Sequence, residues 1–173
     1  ARYKNVLKKN NVRVVSATEH ISDGSEGILL ESVLEGMAEY YSAELAEKVT
    51  RGLTENALKC KFNGGTVPIG YVINKEQLFE IDPLKAPWVL EAFKWYAKGK
   101  TIKEIVILLN AKGLTTSLGT KISINIVTDM LKNRRYIGEY RFRNIVHDNG
   151  IPQIVPTDLF NKVQKQLQKS KRA

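Results

Sequence analysis

Residues Ser123–Arg135, SINIVTDMLKNRR, decide how the basic part of this chain is interpreted. Serine is a favoured N-cap residue, and no proline or glycine interrupts the stretch that follows it. The apolar residues Ile124, Val127 and Leu131 alternate at helical spacing with the polar residues Asn125, Thr128, Asp129 and Lys132. The stretch therefore predicts a short helix that packs on one side and presents hydrogen-bonding side chains on the other.

Two arginines follow this helix directly. A helix in the major groove of DNA reads base edges with polar side chains, while neighbouring cations contact the phosphates. We therefore predict that this helix enters the major groove. The predicted contact residues are Ser123, Asn125, Thr128, Lys132, Arg134 and Arg135.

The residues before this helix predict its partner in a helix-turn-helix. Thr101–Glu104 is a capping box, which begins a helix that runs to Ala111 and stops at Gly113. A polar loop, Thr115–Lys121, connects the two helices. The two short helices resemble a helix-turn-helix, although the loop between them is long for that motif.

The residues after the helix predict a wing. Tyr136–Arg143 and Ile151–Val155 are predicted strands of a hairpin that His147–Gly150 closes, because Asn-Gly is a strong turn signal. Arg141 and Arg143 on the first strand are predicted DNA contacts. A last, strongly basic helix is predicted from Pro156-Thr157 onward.

A smaller hairpin and an aromatic helix are predicted further upstream. Thr66–Ile73 and Gln77–Ile81 have the composition of short strands. Asp82-Pro83 predicts the start of a helix to about Ala97. Its aromatic residues have the spacing of a buried face, which is a more common role for such a stripe than base stacking.

A long helix is predicted from Ile28 to about Lys59, ended by the glycines of Phe62–Gly65. Its length of roughly 45–50 Å exceeds the width of a small domain, so it either leaves its domain or pairs with a second copy. Its acidic first part predicts dimer packing and its basic end predicts phosphate contact; an ordinary buried helix is the alternative. Apolar residues recur every three or four positions at Leu30, Leu34, Met37, Tyr41, Leu45, Val49, Leu53 and Ala57. The predicted phosphate contacts are Lys48, Arg51, Lys59 and Lys61.

The charge is concentrated in one part of the chain. The 173 residues carry a net charge of +9 and are 43% hydrophobic, which is typical of a globular protein. Residues 1–57 sum to −2 and residues 58–173 to +11. This separation predicts a polyanion-binding surface, and a merely solvated basic face is the alternative. Short apolar runs predict no contact with a membrane, and the single cysteine excludes an internal disulfide and predicts a cytoplasmic protein.

Catalytic patterns are not evident in the sequence. His20 and His147 are solitary, Cys60 lies between two lysines, and neither a P-loop nor zinc-ligand spacing occurs. We therefore predict no catalytic residue, no metal site and no cofactor in this chain. Residues 2–10 read as the end of a helix and Val12–Ser16 as a lone strand, which predicts that an α/β domain precedes them.

Motifs in order along nearly the whole chain resemble large serine recombinases of the resolvase/invertase superfamily, from phages or conjugative transposons. These are VRVVSATE at 12–19, SEG at 25–27, LEGMAEYYSAE at 34–44, GG at 64–65, PIGY at 68–71, LKN at 131–133 and YIG at 136–138. The resemblance implies an N-terminal resolvase-like domain whose serine cuts DNA through a phosphoserine bond without metal or ATP. It also implies that the nucleophile and a later zinc ribbon lie outside these residues.

The resemblance implies an α+β, mainly helical architecture in four parts. These are a resolvase-domain remnant (1–24), a long linking helix (25–61), a winged-helix-like recombinase DNA-binding domain (62–156) and a C-terminal basic helix (157–173). Small recombinases end the linking helix with a Glu-Arg pair on DNA, and Glu47-Lys48 occupies the similar position. The expected partners are double-stranded DNA at an attachment site and a second copy of the chain, with a tetramer in synapsis.

Two functions follow from the residues. The first is the DNA-binding and dimerisation part of a site-specific recombinase, which is inactive without its catalytic domain. The alternative is a dimeric winged-helix transcription regulator without catalytic activity. The half α/β unit at the start favours the first.

Overall fold

A computed structural model describes residues 6–7, 9–12 and 24–170. In chain order the elements are α1 (Ser25–Leu58), β1 (Tyr71–Ile73), β2 (Phe79–Ile81), α2 (Ala86–Ala97), α3 (Ile102–Ala111), α4 (Ile124–Lys132), a 3-10 helix (Arg134–Ile137), β3 (Tyr140–Phe142), β4 (Ile145–His147) and α5 (Thr157–Ser170). The fold is α+β and mainly helical, as predicted. Most of the predicted strand at 12–16, and His20, lie outside the described residues.

The chain divides into two compact units, Ala1–Arg51 and Gly52–Ala173. The division falls within α1, whose residues up to Arg51 belong to the first unit. None of the helices in the described ranges is long and apolar enough to cross a membrane. The four predicted domain boundaries remain a prediction.

Helix α1 ends at Leu58, within one residue of the predicted end at about Lys59, but a cysteine closes it in place of the predicted glycines. Cys60 has a left-handed backbone (φ 53°), its N–H donates to the Ala57 carbonyl, and the Lys61 N–H donates to the Asn56 carbonyl. This pair of bonds satisfies the last helical carbonyls in the way a glycine usually allows. The prediction that Gly64 and Gly65 end the helix is therefore wrong, because local backbone bonding closes it four residues before them.

Helices α2 and α3 begin differently. The Thr101 hydroxyl accepts the Glu104 N–H while the Glu104 carboxylate accepts the Thr101 N–H, which confirms the predicted capping box of α3. The start predicted for α2 at Asp82-Pro83 is wrong. Asp82 instead forms a turn, since its Oδ1 accepts the N–H groups of Leu84 and Lys85, and α2 begins only at Ala86.

Both hairpins are antiparallel and shorter than predicted. In the first, Tyr71 pairs with Ile81. In the second, Tyr140 pairs with His147, so β4 lies within the segment that the sequence predicts to connect the two strands. The predicted strand Ile151–Val155 is wrong because the chain already reverses between β3 and β4, where Arg143 adopts a left-handed backbone (φ 50°).

The position of Gly150 is set by packing. A Cβ atom on Gly150 would lie 2.6 Å from Cys60 Sγ and 2.6 Å from Tyr140 Cβ, closer than real Cβ contacts. This glycine therefore permits close approach of the segment after α1, the second hairpin and the loop after it, within the second unit.

The core of the second unit is formed by the four helices α2–α5, the segment after α4 and residues of both hairpins. Phe93 on α2 stacks on Phe160 of α5, with ring centroids 5.9 Å apart, and meets Tyr136 edge-on at 5.8 Å. Phe160 and Val163 are fully buried, so α5 is part of this core. The aromatic residue Phe93 thus has the packing role that the sequence predicts.

Candidate nucleic-acid interface

Helix α4 forms as the sequence predicts. The Ser123 hydroxyl accepts the Ile126 N–H at 3.4 Å, which caps the helix. Val127, Met130 and Leu131 are buried, whereas Asn125, Asp129 and Lys132 are exposed. One predicted position is wrong: Ile124 is 46% exposed, because it lies at the first turn beyond the edge of the core.

Thr128 differs from the other predicted contacts on α4. Its hydroxyl donates to the Ile124 carbonyl at 2.8 Å, and the side chain is half-buried. Within α4 this hydroxyl therefore bonds the preceding turn of its own helix. Its oxygen still has lone pairs with which to accept a hydrogen bond from a base.

A single asparagine holds the start of α4 against α3. Asn110 Nδ2 donates to the Ile122 carbonyl at 2.9 Å, and its Oδ1 accepts the Ile122 N–H at 3.0 Å. The intervening loop folds on itself through a Thr115–Lys121 bridge. The connection is therefore ordered by specific bonds although it is long for a helix-turn-helix.

The end of α4 is fixed by side chains from two directions. Gln164 of α5 donates from Nε2 to the Leu131 carbonyl at 2.7 Å, which satisfies a carbonyl of the last turn. Asn133 Oδ1 accepts the Arg135 N–H at 3.1 Å and begins the 3-10 helix. The two arginines after α4 therefore start from a fixed backbone.

Arg135 is the more enclosed of these two arginines. Its guanidinium carbon lies 5.7 Å from the centre of the Phe79 ring, and the side chain is half-buried. The Tyr71 hydroxyl lies 2.9 Å from the Arg135 carbonyl and 2.7 Å from that of Pro152. Burial raises the pKa of Tyr71, so the hydroxyl stays protonated and can donate.

Arg135 also lines a groove of about 290 Å³ beside α4. Asp129 and Asn133 lie on its α4 side, and Thr66–Ile69 and Ser117 belong to the facing loops. The groove therefore combines one guanidinium, one carboxylate and one amide, which are the groups that read base edges.

Arg134 and Arg141 meet at a buried carboxylate. Nε of Arg134 donates to Glu139, and Nε of Arg141 lies 3.7 Å from Oε1 of the same group. Glu139 is 7% exposed. The structure thus brings these two predicted contacts together, one from the segment after α4 and one from β3.

Arg143 lies at the turn between β3 and β4. Its guanidinium carbon is 5.4 Å from the centre of the Phe142 ring, and the side chain is exposed. The tip of the hairpin therefore carries a cation, but the prediction that Arg143 lies on the first strand is wrong, because β3 ends at Phe142.

The predicted contacts around α1 belong to different units. In the first unit Lys48 pairs with Glu44 at 2.8 Å, and Arg51 is exposed beside Glu47. In the second unit Lys59 is exposed and Lys61 half-buried. The Lys61 carbonyl accepts the Tyr140 hydroxyl at 2.7 Å, so the chain after α1 is tied to the second hairpin.

The family model described as Recombinase matches residues 83–170, which contain α2 to α5 and most of the predicted contacts. The chain belongs to the recombinase family. No match was found among curated proteins.

Two solved structures have a fold similar to that of this recombinase. One is the crystal structure of an LSR–DNA complex, LSR meaning large serine recombinase, with 14% identity and a TM-score of 0.58 over 72% of this chain and 38% of that one. The other is a structure from work on the sequence requirements of the Listeria innocua prophage attP site. It has 14% identity and a TM-score of 0.57, and the match covers 70% of this chain and 52% of that one. The chain thus spans about two-fifths to half of these relatives.

The family model confirms that the chain is a recombinase, and the two structures show that its fold is similar to that of an LSR–DNA complex. They give no support to the transcription-regulator alternative. The assignment of individual DNA contacts in this recombinase remains a prediction.

Metal-ligating side chains do not cluster in the described part of this recombinase. No cluster of three or more His, Cys, Asp or Glu side chains that could hold a metal occurs within residues 6–7, 9–12 and 24–170. Burial raises the pKa of the Cys60 thiol, which makes the reactive thiolate less available. His147 ends β4, with its ring centre 6.5 Å from that of Tyr140. The prediction that it lies in a turn is wrong.

Sequence reasoning missed three residues that shape this surface. Asn110, Asn133 and Glu139 fix the loop before α4, the 3-10 helix after it and the arginine pair. Asn133 is the last residue of the quoted Leu-Lys-Asn motif and Glu139 directly follows the quoted Tyr-Ile-Gly motif, so these motifs point to both positions. Asn110 lies at the end of an ordinary helical pattern, where only the fold reveals its partner.

Proposed function

We propose that this chain is the DNA-binding and dimerisation part of a site-specific serine recombinase. The whole enzyme cuts and rejoins double-stranded DNA at an attachment site through a phosphoserine intermediate, and we assign none of its catalytic residues to this chain. The observation that carries the proposal is α4, a capped helix with a polar exposed face and two following arginines, on a domain of the recombinase family.

The proposed DNA surface combines α4 with the second hairpin. Asn125, Asp129 and Lys132 provide donors and acceptors for base edges, while Arg134 and Arg143 provide cations for phosphates. The net charge of +11 over residues 58–173 supports long-range attraction to DNA. Lys59 and Lys61 extend the proposed contacts toward the end of α1.

The proposed dimer uses the first part of α1. In the first unit Met37, Tyr41, Leu45 and Val49 are between 47% and 62% exposed, at steps of four residues. A continuous apolar stripe of this length on a helix is covered by another helix in stable proteins. We propose that a second copy of α1 covers it, with a tetramer of the whole enzyme in synapsis.

DNA binding is tested with a fluorescent 30-base-pair duplex of mixed sequence in a salt series. Because Arg134 and Arg135 are proposed to neutralise two phosphates, the variant R134A/R135A is expected to bind more weakly. The slope of log K against log salt should become less negative by about 1.8, which corresponds to the loss of two phosphate contacts. Since Arg135 packs on Phe79, thermal unfolding is measured in parallel.

The matched control is K75A/K98A, which removes two exposed lysines outside the proposed surface. It is expected to keep more of the wild-type slope than the arginine variant. Equal slopes for the two double variants would contradict the placement of α4 on DNA. A wild-type chain that does not bind the duplex at about 50 mM salt would contradict the proposed function itself.

The dimer is tested by sedimentation equilibrium with L45E. A carboxylate at the centre of an apolar interface is expected to weaken self-association at least about 100-fold, since an unpaired charge is costly to bury. The control is I107E, because Ile107 on α3 is similarly exposed, at 67% against 62%. Equal association of the two variants would contradict the α1 interface.

A further inference from the structure

Glu139 is the one buried charged side chain among the residues that the structure describes. The two arginines bound to it are not buried: the Arg134 and Arg141 side chains are 56% and 65% exposed. A buried acid with two exposed basic partners is unusual, because burial of a carboxylate is costly and the arginines could instead be solvated separately.

The backbone fixes Glu139 in this position. Gly138 has a left-handed backbone (φ 96°) that closes the 3-10 helix and turns the chain into β3. The Glu139 N–H donates to the Arg134 carbonyl at 3.3 Å, so main chain and side chain both join these residues. Arg141 is two residues further along, inside β3, and its Nε lies 3.7 Å from Glu139 Oε1.

The arginine pair retains donors for a ligand. Both arginines approach Glu139 through Nε, and a guanidinium carries four further N–H donors on its terminal nitrogens. Two guanidinium charges on one carboxylate leave a net charge of +1 at an exposed site. Ordered guanidinium groups bind phosphate oxygens through paired hydrogen bonds with little further loss of side-chain freedom.

We propose that Glu139 is a positioning residue that holds Arg134 and Arg141 as a pair on one phosphate of the DNA backbone. This proposal rests on the proposed DNA-binding function. It adds that an acidic residue, which by charge alone opposes DNA binding, strengthens binding by ordering two cations.

The substitution E139Q separates positioning from charge, because the two effects have opposite signs. Glutamine keeps the shape and removes the negative charge. If Glu139 only neutralises the arginines, E139Q gains positive charge and binds the duplex more tightly, with a steeper salt slope. If Glu139 positions them, E139Q binds about three- to tenfold more weakly at about 0.1 M salt, with a slope smaller by about 0.9.

The measurement is fluorescence anisotropy with the same 30-base-pair duplex, alongside thermal unfolding of each variant. The matched control is E91Q, since Glu91 also pairs with a cation, Lys94 at 2.7 Å, but lies on α2 outside the proposed surface. E91Q is expected to bind at least as tightly as the wild type. Tighter or unchanged binding by E139Q would overturn the proposal.

A double-mutant cycle completes the test. In the R134A background the pair no longer exists, so adding E139Q is expected to weaken binding less than twofold. An equal loss in both backgrounds would overturn the proposal, because Glu139 would then act through another group or through stability. Wild-type chain that fails to bind DNA contradicts the proposed function, whereas binding that E139Q leaves unweakened contradicts only the positioning role.

Discussion

The two units use the same apolar spacing with opposite results. In the first unit Met37 and Leu45 of the α1 stripe are 47% and 62% exposed. In the second unit Phe93, Leu109 and Leu131, also on helices, are fully buried. Spacing of three or four residues therefore predicts a helix and its apolar face, but it does not say whether this chain or another molecule covers that face.

The long helix itself contains both situations. Its stripe is exposed at Tyr41 and Val49, half-buried at Leu53 and buried at Ala57, which belongs to the core of the second unit. An unbroken sequence pattern thus spans a change in packing. The same helix therefore ends in the core of the second unit, while its apolar residues in the first unit remain exposed among the described residues.

The same substitution in the two units should give the largest difference. L131A removes a fully buried side chain from α4 and is expected to lower the free energy of unfolding by about 2–5 kcal/mol. L45A removes an exposed side chain and is expected to change it by about 0.5 kcal/mol or less in dilute protein. Urea unfolding at low protein concentration measures both. Similar losses would mean that Leu45 is covered within the monomer.

Two glycines provide a smaller contrast. G150A forces a methyl group against Cys60 and Tyr140 and is expected to cost about 1–3 kcal/mol. G52A places alanine inside α1, where nothing lies within 4 Å, and is expected to stabilise the chain by about 0.5–1 kcal/mol. Thermal unfolding measures whether G150A lowers and G52A raises the melting temperature. A neutral G150A would show that the loop after β4 adapts without cost.

The smallest expected effect concerns pH and the start of α3. Hydrogen bonds from the Thr101 N–H, and then from its hydroxyl, hold the pKa of Glu104 below its ordinary value of 4.5. Because the folded-state pKa is lowered, this stabilisation is present above about pH 4.5 and is lost as the pH falls through the lower folded value.

We therefore expect E104Q to reduce the fall in melting temperature between about pH 5 and about pH 3. T101A, which removes the hydroxyl and keeps the N–H, should give an intermediate dependence. Identical pH profiles for all three proteins would contradict this role of the capping box.

The elements around the proposed interface were predictable to different degrees. The caps at Thr101 and Ser123 depend on residues three positions apart, so local sequence contains the whole motif. The second hairpin was predicted with the wrong register. Asn149-Gly150 is a strong local turn signal, but the chain turns earlier, at Arg143. Gly150 is instead required because Cys60 packs too close to leave room for a Cβ atom.

The sequence by itself determined the helices, the separation of charge and the cationic residues that follow α4. These depend on spacing, capping and composition, which are local properties of the chain. Only the tertiary structure decided that Arg134 and Arg141 share Glu139, that Arg135 lies over Phe79, and that Asn110 holds the start of α4. Such contacts arise where separate elements meet, and their energies depend on burial that no local pattern contains.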